Sequence, residues 1–121
     1  MDIKQEQIIM DPTTGAIGYG IEYTYSVMER MRLTALGGDK MLCAPIIVTP
    51  GYECSKVKEY KAPSESFPTW GELAKRAALW ELSTATSLLY AGADILIMYH
   101  PEAAMAIKRT INKLLGTGGN K

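Results

Sequence analysis

Three short apolar runs, each closed by a proline, constrain this chain more than any other feature. They are "QIIMD", "APIIVTP" and "DILIMYHP", and the prolines are Pro12, Pro50 and Pro101. None shows polar alternation. That is the pattern of a strand buried on both faces, and such strands belong to parallel sheets. Proline has no N–H to give a central ladder, so each strand is expected to stop there. The predicted strands cover residues 7–11, 45–49 and 94–99.

Helical periodicity follows each run. Ile21, Tyr25, Met28, Met31 and Ala35 recur at three- and four-residue steps, with Gly37 and Gly38 placed to end the helix. A second helix is expected to open at "TWGE", where Thr69 and Glu72 match a capping box, and to run to about Ala91. Its second half, Leu82 to Ala93, carries no charge, so it should be covered on more than one side. The third opens at Pro101, with Ala103, Ile107, Thr110, Ile111 and Leu114 facing inward. The tail at 116–121, "GTGGNK", reads as flexible. The chain therefore reads β-α-β-α-β-α in one domain over residues 1–121, with "GYECSKVKEYKAPSESFP" as a long second loop. Such units fit either an open sheet or an arc of a (β/α)₈ barrel. A whole barrel takes about 250 residues, roughly twice this chain.

Composition excludes several classes. Formal net charge is zero, which gives no electrostatic footprint for nucleic acid. No apolar run reaches the ~18 residues of a membrane span, and "MDIKQEQ" has no apolar leader core. Two cysteines do not make a disulfide framework, and free thiols fit the cytoplasm.

In parallel α/β folds the loops after the strands share one face, and ligands bind there. That face would hold "DPTTGAIGYG", "TPGYECSK" and "YHPEA". The first loop is neither a dinucleotide fingerprint nor a Walker loop. Its glycines either let backbone amides approach a ligand or serve a tight turn. Asp11 stands at a strand end, as a candidate acid or a turn cap. His100, the one histidine, either orients a turn or contributes to the ligand face. Cys43, Cys54 and His100 fit no zinc spacing, and no nucleophile elbow is present. Tyr19, Tyr23, Tyr52 and Tyr99 offer aromatic surface for a flat ligand or an interface.

"GYGIEYTYSVMERMR", "PIIVTPGYECSKVKEYKAP" and "ADILIMYHPEAA" closely resemble the small subunit of the corrinoid iron–sulfur protein, whose archaeal counterpart is the delta subunit of acetyl-CoA decarbonylase/synthase. The resemblance runs from about Ile8 to Leu115. It implies a TIM (β/α)₈ barrel, of which this chain would be the C-terminal portion, three consecutive βα units with parallel strands, the earlier units coming before Met1. It also implies a cobalamin-type corrinoid shared with a large subunit that carries the iron–sulfur cluster. The methyl group would come from methyltetrahydrofolate through a separate methyltransferase, or from a tetrahydropterin in archaea, and pass to acetyl-CoA synthase. This is the methyl branch of the reductive acetyl-CoA pathway of anaerobes, a route of carbon fixation built on the CO dehydrogenase/acetyl-CoA synthase complex. Because cobalt makes the bonds, no catalytic side chain is expected here, and no activity of the chain alone.

On that resemblance, Thr13, Thr14, Gly15, Tyr19, Gly20, Gly51, Tyr52 and His100 are expected to face the corrinoid or the large subunit. The competing readings are a barrel segment that acts only as a subunit-interface scaffold and a self-sufficient pterin-dependent methyltransferase. Open strand edges and the uncharged 82–93 stretch also predict that the isolated chain self-associates. Sedimentation at roughly 50 µM, well above ordinary weak association, checks this; a compact monomer there overturns it.

Overall fold

The computed structural model describes residues 2–118. It is mostly helical. The labelled elements are α1 (Ile21–Leu36), β1 (Ile47–Val48), α2 (Pro50–Lys56), α3 (Lys58–Lys61), α4 (Leu73–Tyr90), β2 (Ile95–Leu96) and α5 (Pro101–Leu114). Short 3-10 turns at Gln5–Gln7, Lys40–Cys43 and Pro68–Trp70 join them.

The sheet has two strands, β1 and β2, paired in parallel with Ile47 opposite Ile95 and Val48 opposite Leu96. This overturns the expectation of three consecutive βα units resembling the C-terminal portion of a TIM barrel. The first apolar run contributes one parallel bridge, Met10 to Ile46, and no strand. Its ladder is cut at both ends. Met10 N–H donates to Pro45 O (2.8 Å) and Met10 O accepts from Ile47 N–H (2.9 Å). One residue later the Asp11 carboxylate accepts the N–H of Thr13 at 2.8 Å, and Thr13 turns to φ 63°. Pro50 ends β1 in the same way, because it is already the first residue of α2. The first run and β1 are short because local turn chemistry takes the chain out of the sheet, and β2 covers only Ile95–Leu96 of the expected 94–99 and ends well before Pro101.

Segments read as loop are helical instead. Residues 50–61 form α2 and α3, in which Cys54 and Val57 turn inward against Ala16, with Tyr60 and Trp80 packed alongside. The helix expected from Thr69 starts at Leu73, since Gly71 takes φ 78° and breaks the turn before it. Ser64 Oγ, not Thr69, accepts the first helical N–H, that of Leu73, at 2.9 Å. The expected inward face of α1 is also shifted: Met28 is fully buried and Tyr25 is exposed, while Thr24 takes its place inside. At the chain end, Thr117 and Gly118 donate their N–H groups to Asn112 O (2.9 and 3.2 Å). The rest of the tail, 119–121, lies outside the described residues.

The main core gathers Met10, Met28, Ile46, Val48, Leu88 and Ala93 between α1, the sheet and α4. The uncharged half of α4 lies against it: Thr84, Ala85 and Leu88 have no exposure, and Tyr90 points to solvent. Below the strands, Arg32 closes that core. Its guanidinium donates to Gly92 O (2.7 Å) and pairs with Asp94 (2.5 Å), whose carboxylate also accepts Ile46 N–H (2.9 Å). A second arginine organises the long connection. Arg76 is 9% exposed and donates to the carbonyls of Glu59 (2.7 Å), Gly71 (3.0 Å) and Ala62. Among the described residues no helix is long and apolar enough to cross a membrane.

Arg76 thus satisfies three carbonyls of one connection from inside the fold. Arg76→Ala should cost about 1–3 kcal/mol, since it leaves the buried Ala62 carbonyl and two part-buried ones without their donor. Arg76→Lys should not rescue it, because one ammonium cannot reach three carbonyls spread over that connection. Chemical denaturation with limited proteolysis of the 62–72 segment reads both; an unchanged midpoint sinks the assignment. Cys54 gives a second expectation. Its thiol is fully buried, 3.3 Å from Thr84 Oγ1, and burial pushes its pKa up to about 11. At pH 8 only about one thiol in a thousand is then thiolate. Iodoacetamide should alkylate exposed Cys43 and spare Cys54 until denaturant is added; equal labelling rates in the folded protein would contradict this.

Candidate functional site

The segments after the three apolar runs meet at one end of the sheet, and side-chain hydroxyls bring them there. Thr24 is buried in the first turn of α1. Its hydroxyl donates to Thr13 O (2.9 Å) and accepts Gly15 N–H (2.7 Å), folding the loop over the helix start. Gly15 then lies against the backbone of Gly20, so that a Cβ at residue 15 would stand 2.5 Å from the Gly20 carbonyl. Such an approach admits only glycine. Thr14 Oγ1 accepts the N–H of Thr49 at 2.9 Å, which ties the loop to the end of β1. Ile17 N–H donates to Thr84 Oγ1 at 3.2 Å, which ties it to α4.

The second segment packs directly on the third. Gly51 N–H donates to Ile97 O at 3.0 Å. A Cβ on Gly51 would sit 2.5 Å from Tyr99 N and 2.8 Å from its ring, so α2 can begin here only with glycine. The third segment is held from beneath by a carboxylate. Glu81, in the middle of α4, has no exposure. Its oxygens accept Tyr99 N–H (2.6 Å), His100 N–H (3.0 and 3.2 Å) and the Tyr60 hydroxyl (3.1 Å). A buried carboxylate is tolerated only when hydrogen-bonded in this way. Burial, reinforced by the Glu81 charge, pushes the Tyr60 phenol up to about 12.

The outer rim carries a hydrogen bond from the Tyr19 hydroxyl to the Glu59 carboxylate, joining the first loop to α3. That bond raises the Tyr19 phenol and lowers Glu59. Lys56 Nζ stands 4.0 Å from the centre of the Tyr52 ring. Beside this rim, Ile17 and Gly18 form one wall of an open groove of about 550 Å³, with Leu79, Trp80 and Ser83 of α4 opposite.

The eight sequence-predicted residues divide by role. Thr14 and Gly51 are buried and Gly15 and Gly20 half-buried, so their part is to shape the loops. Thr13, Tyr19 and Tyr52 are exposed, and His100 is half-buried with its Nδ1 enclosed and without a hydrogen-bond partner. Asp11 acts as a turn cap through the Thr13 N–H. Cys54, placed by the sequence on this face, is instead inside α2, and Cys43 is exposed on the 3-10 turn that precedes β1. Among the described residues no three His, Cys, Asp or Glu side chains gather closely enough to hold a metal ion.

Sequence reasoning missed Glu81, Thr24 and Glu59. For Glu81 a signal existed: it is the one charged residue between Arg76 and Asp94. A lone acid in a helix covered on several sides must find donors. Thr24 and Glu59 had no such mark, since hydroxyls and acids are ordinary in exposed first turns.

Comparison with known proteins places this arrangement. Residues 1–114 match the family model described as CO dehydrogenase/acetyl-CoA synthase delta subunit. The chain is 37% identical, over 96% of its length, to the delta subunit of the acetyl-CoA decarbonylase/synthase complex of Methanosarcina mazei. It is 36% identical over 96% of its length to the corresponding subunit of Archaeoglobus fulgidus, and 44% identical over 87% to that of Methanopyrus kandleri. It spans only about a quarter of these relatives, 27%, 26% and 25% of their respective lengths. With the match running from the first residue to the end of α5, the chain belongs to the CO dehydrogenase/acetyl-CoA synthase delta subunit family.

Proposed function

We propose that this chain supplies a positioning surface within the delta subunit of an acetyl-CoA decarbonylase/synthase complex. On this surface the loops after the apolar runs, together with the large subunit of the corrinoid iron–sulfur protein, hold a cobalamin-type corrinoid for methyl transfer. The donor would be methyltetrahydrofolate or a tetrahydropterin, through its methyltransferase, and the acceptor acetyl-CoA synthase. The supporting observation is the convergence of three sequence-distant loops at one end, pinned by Thr14 to Thr49 and by Gly51 against Tyr99.

The groups left at that end suit such a ligand. A corrinoid presents a flat macrocycle rimmed with neutral amides. Thr13, Tyr19 and Tyr52 offer exposed hydroxyls and aromatic faces, and the unpartnered Nδ1 of His100 is a polar atom without a structural task. When bound, the corrinoid supplies the cobalt that carries the methyl group. The residues of this chain orient: Tyr52 and Tyr19 would lie along the ligand edge, His100 would give a hydrogen bond to it, and Thr14, Gly15 and Gly51 keep those three in register. Positioning of this kind matters to rate because small misplacements of a reacting atom are costly.

The test uses the full-length subunit paired with its large partner. Tyr52→Ala and His100→Ala should each lower corrinoid retention or methyl-transfer rate by about two- to tenfold, the range for losing one or two hydrogen bonds. Tyr19→Ala should do the same while also freeing α3 from the first loop. Corrinoid content, cobalt spectra and transfer rate are the readouts. Three variants identical to the parent in all of them would replace this reading with a purely scaffolding role.

A further inference from the structure

Among the described residues, Glu81 is the one buried acid. It lies on α4, has no exposure, and shows no cation among its hydrogen-bond partners. Its two oxygens take the backbone N–H groups of Tyr99 and His100 and the hydroxyl of Tyr60. These groups come from two separate stretches of chain: the exit of β2 into α5 and the short helix α3.

Three features make this more than a core hydrogen bond. First, the N–H groups of Tyr99 and His100 donate to this carboxylate and to no strand or helix carbonyl. The two residues lie between β2 and α5 in neither element, and His100 gives no side-chain cap to the helix it opens. Second, the next residue is Pro101, which has no N–H, so the carboxylate takes the last two donors before the helix. Third, Tyr99 is the residue on which Gly51 rests, at a spacing that excludes a Cβ. Moving the 99–100 backbone therefore moves the start of α2 and with it Tyr52.

We propose that Glu81 is a positioning residue for the corrinoid-facing surface, setting where His100 and Tyr52 stand by clamping the 99–100 backbone from below. This rests on the reading that the surface holds a corrinoid. Glu81 itself reaches no ligand, since it is fully buried. Charge-assisted hydrogen bonds to backbone N–H groups are the strong ones, which suits a fixed carboxylate to this task.

The experiment compares the parent full-length subunit, with its large partner and cobalamin, with Glu81→Gln, which keeps shape and removes charge. Hydrogen–deuterium exchange of segment 98–101 reports the Tyr99 and His100 amides without reference to activity. They should be protected in the parent and exchange about tenfold faster or more in Glu81→Gln, as expected for losing a charge-assisted bond. The cobalamin absorption spectrum or retention should shift in the same direction as in His100→Ala. Fast exchange in the parent, or no acceleration in Glu81→Gln, overturns the clamp. Accelerated exchange with an unchanged spectrum and retention, while His100→Ala alters them, overturns the positioning role and leaves the corrinoid reading standing. If His100→Ala and Tyr52→Ala are silent as well, the corrinoid reading itself fails. Should Glu81→Gln not fold, Tyr60→Phe, which removes only the phenolic partner, carries the same comparison with smaller shifts expected.

Discussion

The arrangement of this chain depends on a single buried negative charge. Glu81 sits near the middle of α4, and taking its carboxylate out of water costs several kcal/mol unless donors surround it. It finds them in the Tyr99 and His100 amides and the Tyr60 hydroxyl. Each of those groups has to arrive for the helix to pack. The exit of the second strand, the start of α5 and the position of α3 are thereby referred to one side chain. The carboxylate also stands at the N-terminal end of α5, where the helix dipole favours negative charge.

Hydroxyls and arginines extend the same logic outward. Thr24, Thr14 and Thr84 each take a backbone group from a distant stretch, so the first loop is held by uncharged side chains. Arg76 gives its donors to carbonyls of the connection between α3 and α4, and Arg32 to the Gly92 carbonyl just before β2. The Arg32–Asp94 pair is partly exposed, and on its own would contribute little. It counts because both partners also bind backbone, at Gly92 and Ile46. With the structural bonds made underneath, the loop surface keeps the Tyr19 and Tyr52 rings and the Thr13 hydroxyl, with Glu59 and Lys56 beside the two tyrosines. The chain belongs to a family named for the delta subunit of CO dehydrogenase/acetyl-CoA synthase.

Family membership was legible from three stretches of sequence, and so was the direction of the β1–β2 pairing, since unalternated apolar runs belong to parallel sheets. Helix α5 was also legible, because Pro101 opens it and Ala103 and Ile107 face inward. The loss of the strand expected at 7–11 was not. Met10 makes its bridge, yet the Asp11 side chain turns the next residues away, a contest between a ladder and a local cap that propensity does not resolve. Nor was the helical nature of 50–61. Its lysines, glutamates and closing proline resemble a solvated loop until Cys54 and Val57 are seen packed against Ala16.

By itself, the sequence determined that β1 stops before Pro50 and that α5 opens at Pro101, which residues are small enough for close backbone contact, and which family the chain joins. Proline geometry and the missing glycine Cβ are properties of single residues, and they act wherever the chain goes. Only the tertiary structure decided how many strands pair and which donors meet Glu81. It also decided which of the eight loop residues are spent inside and which remain at the surface. Those outcomes depend on groups brought together from as far as 67 residues apart, as Ile17 and Thr84 are, and a buried hydrogen bond exists only once both partners have arrived.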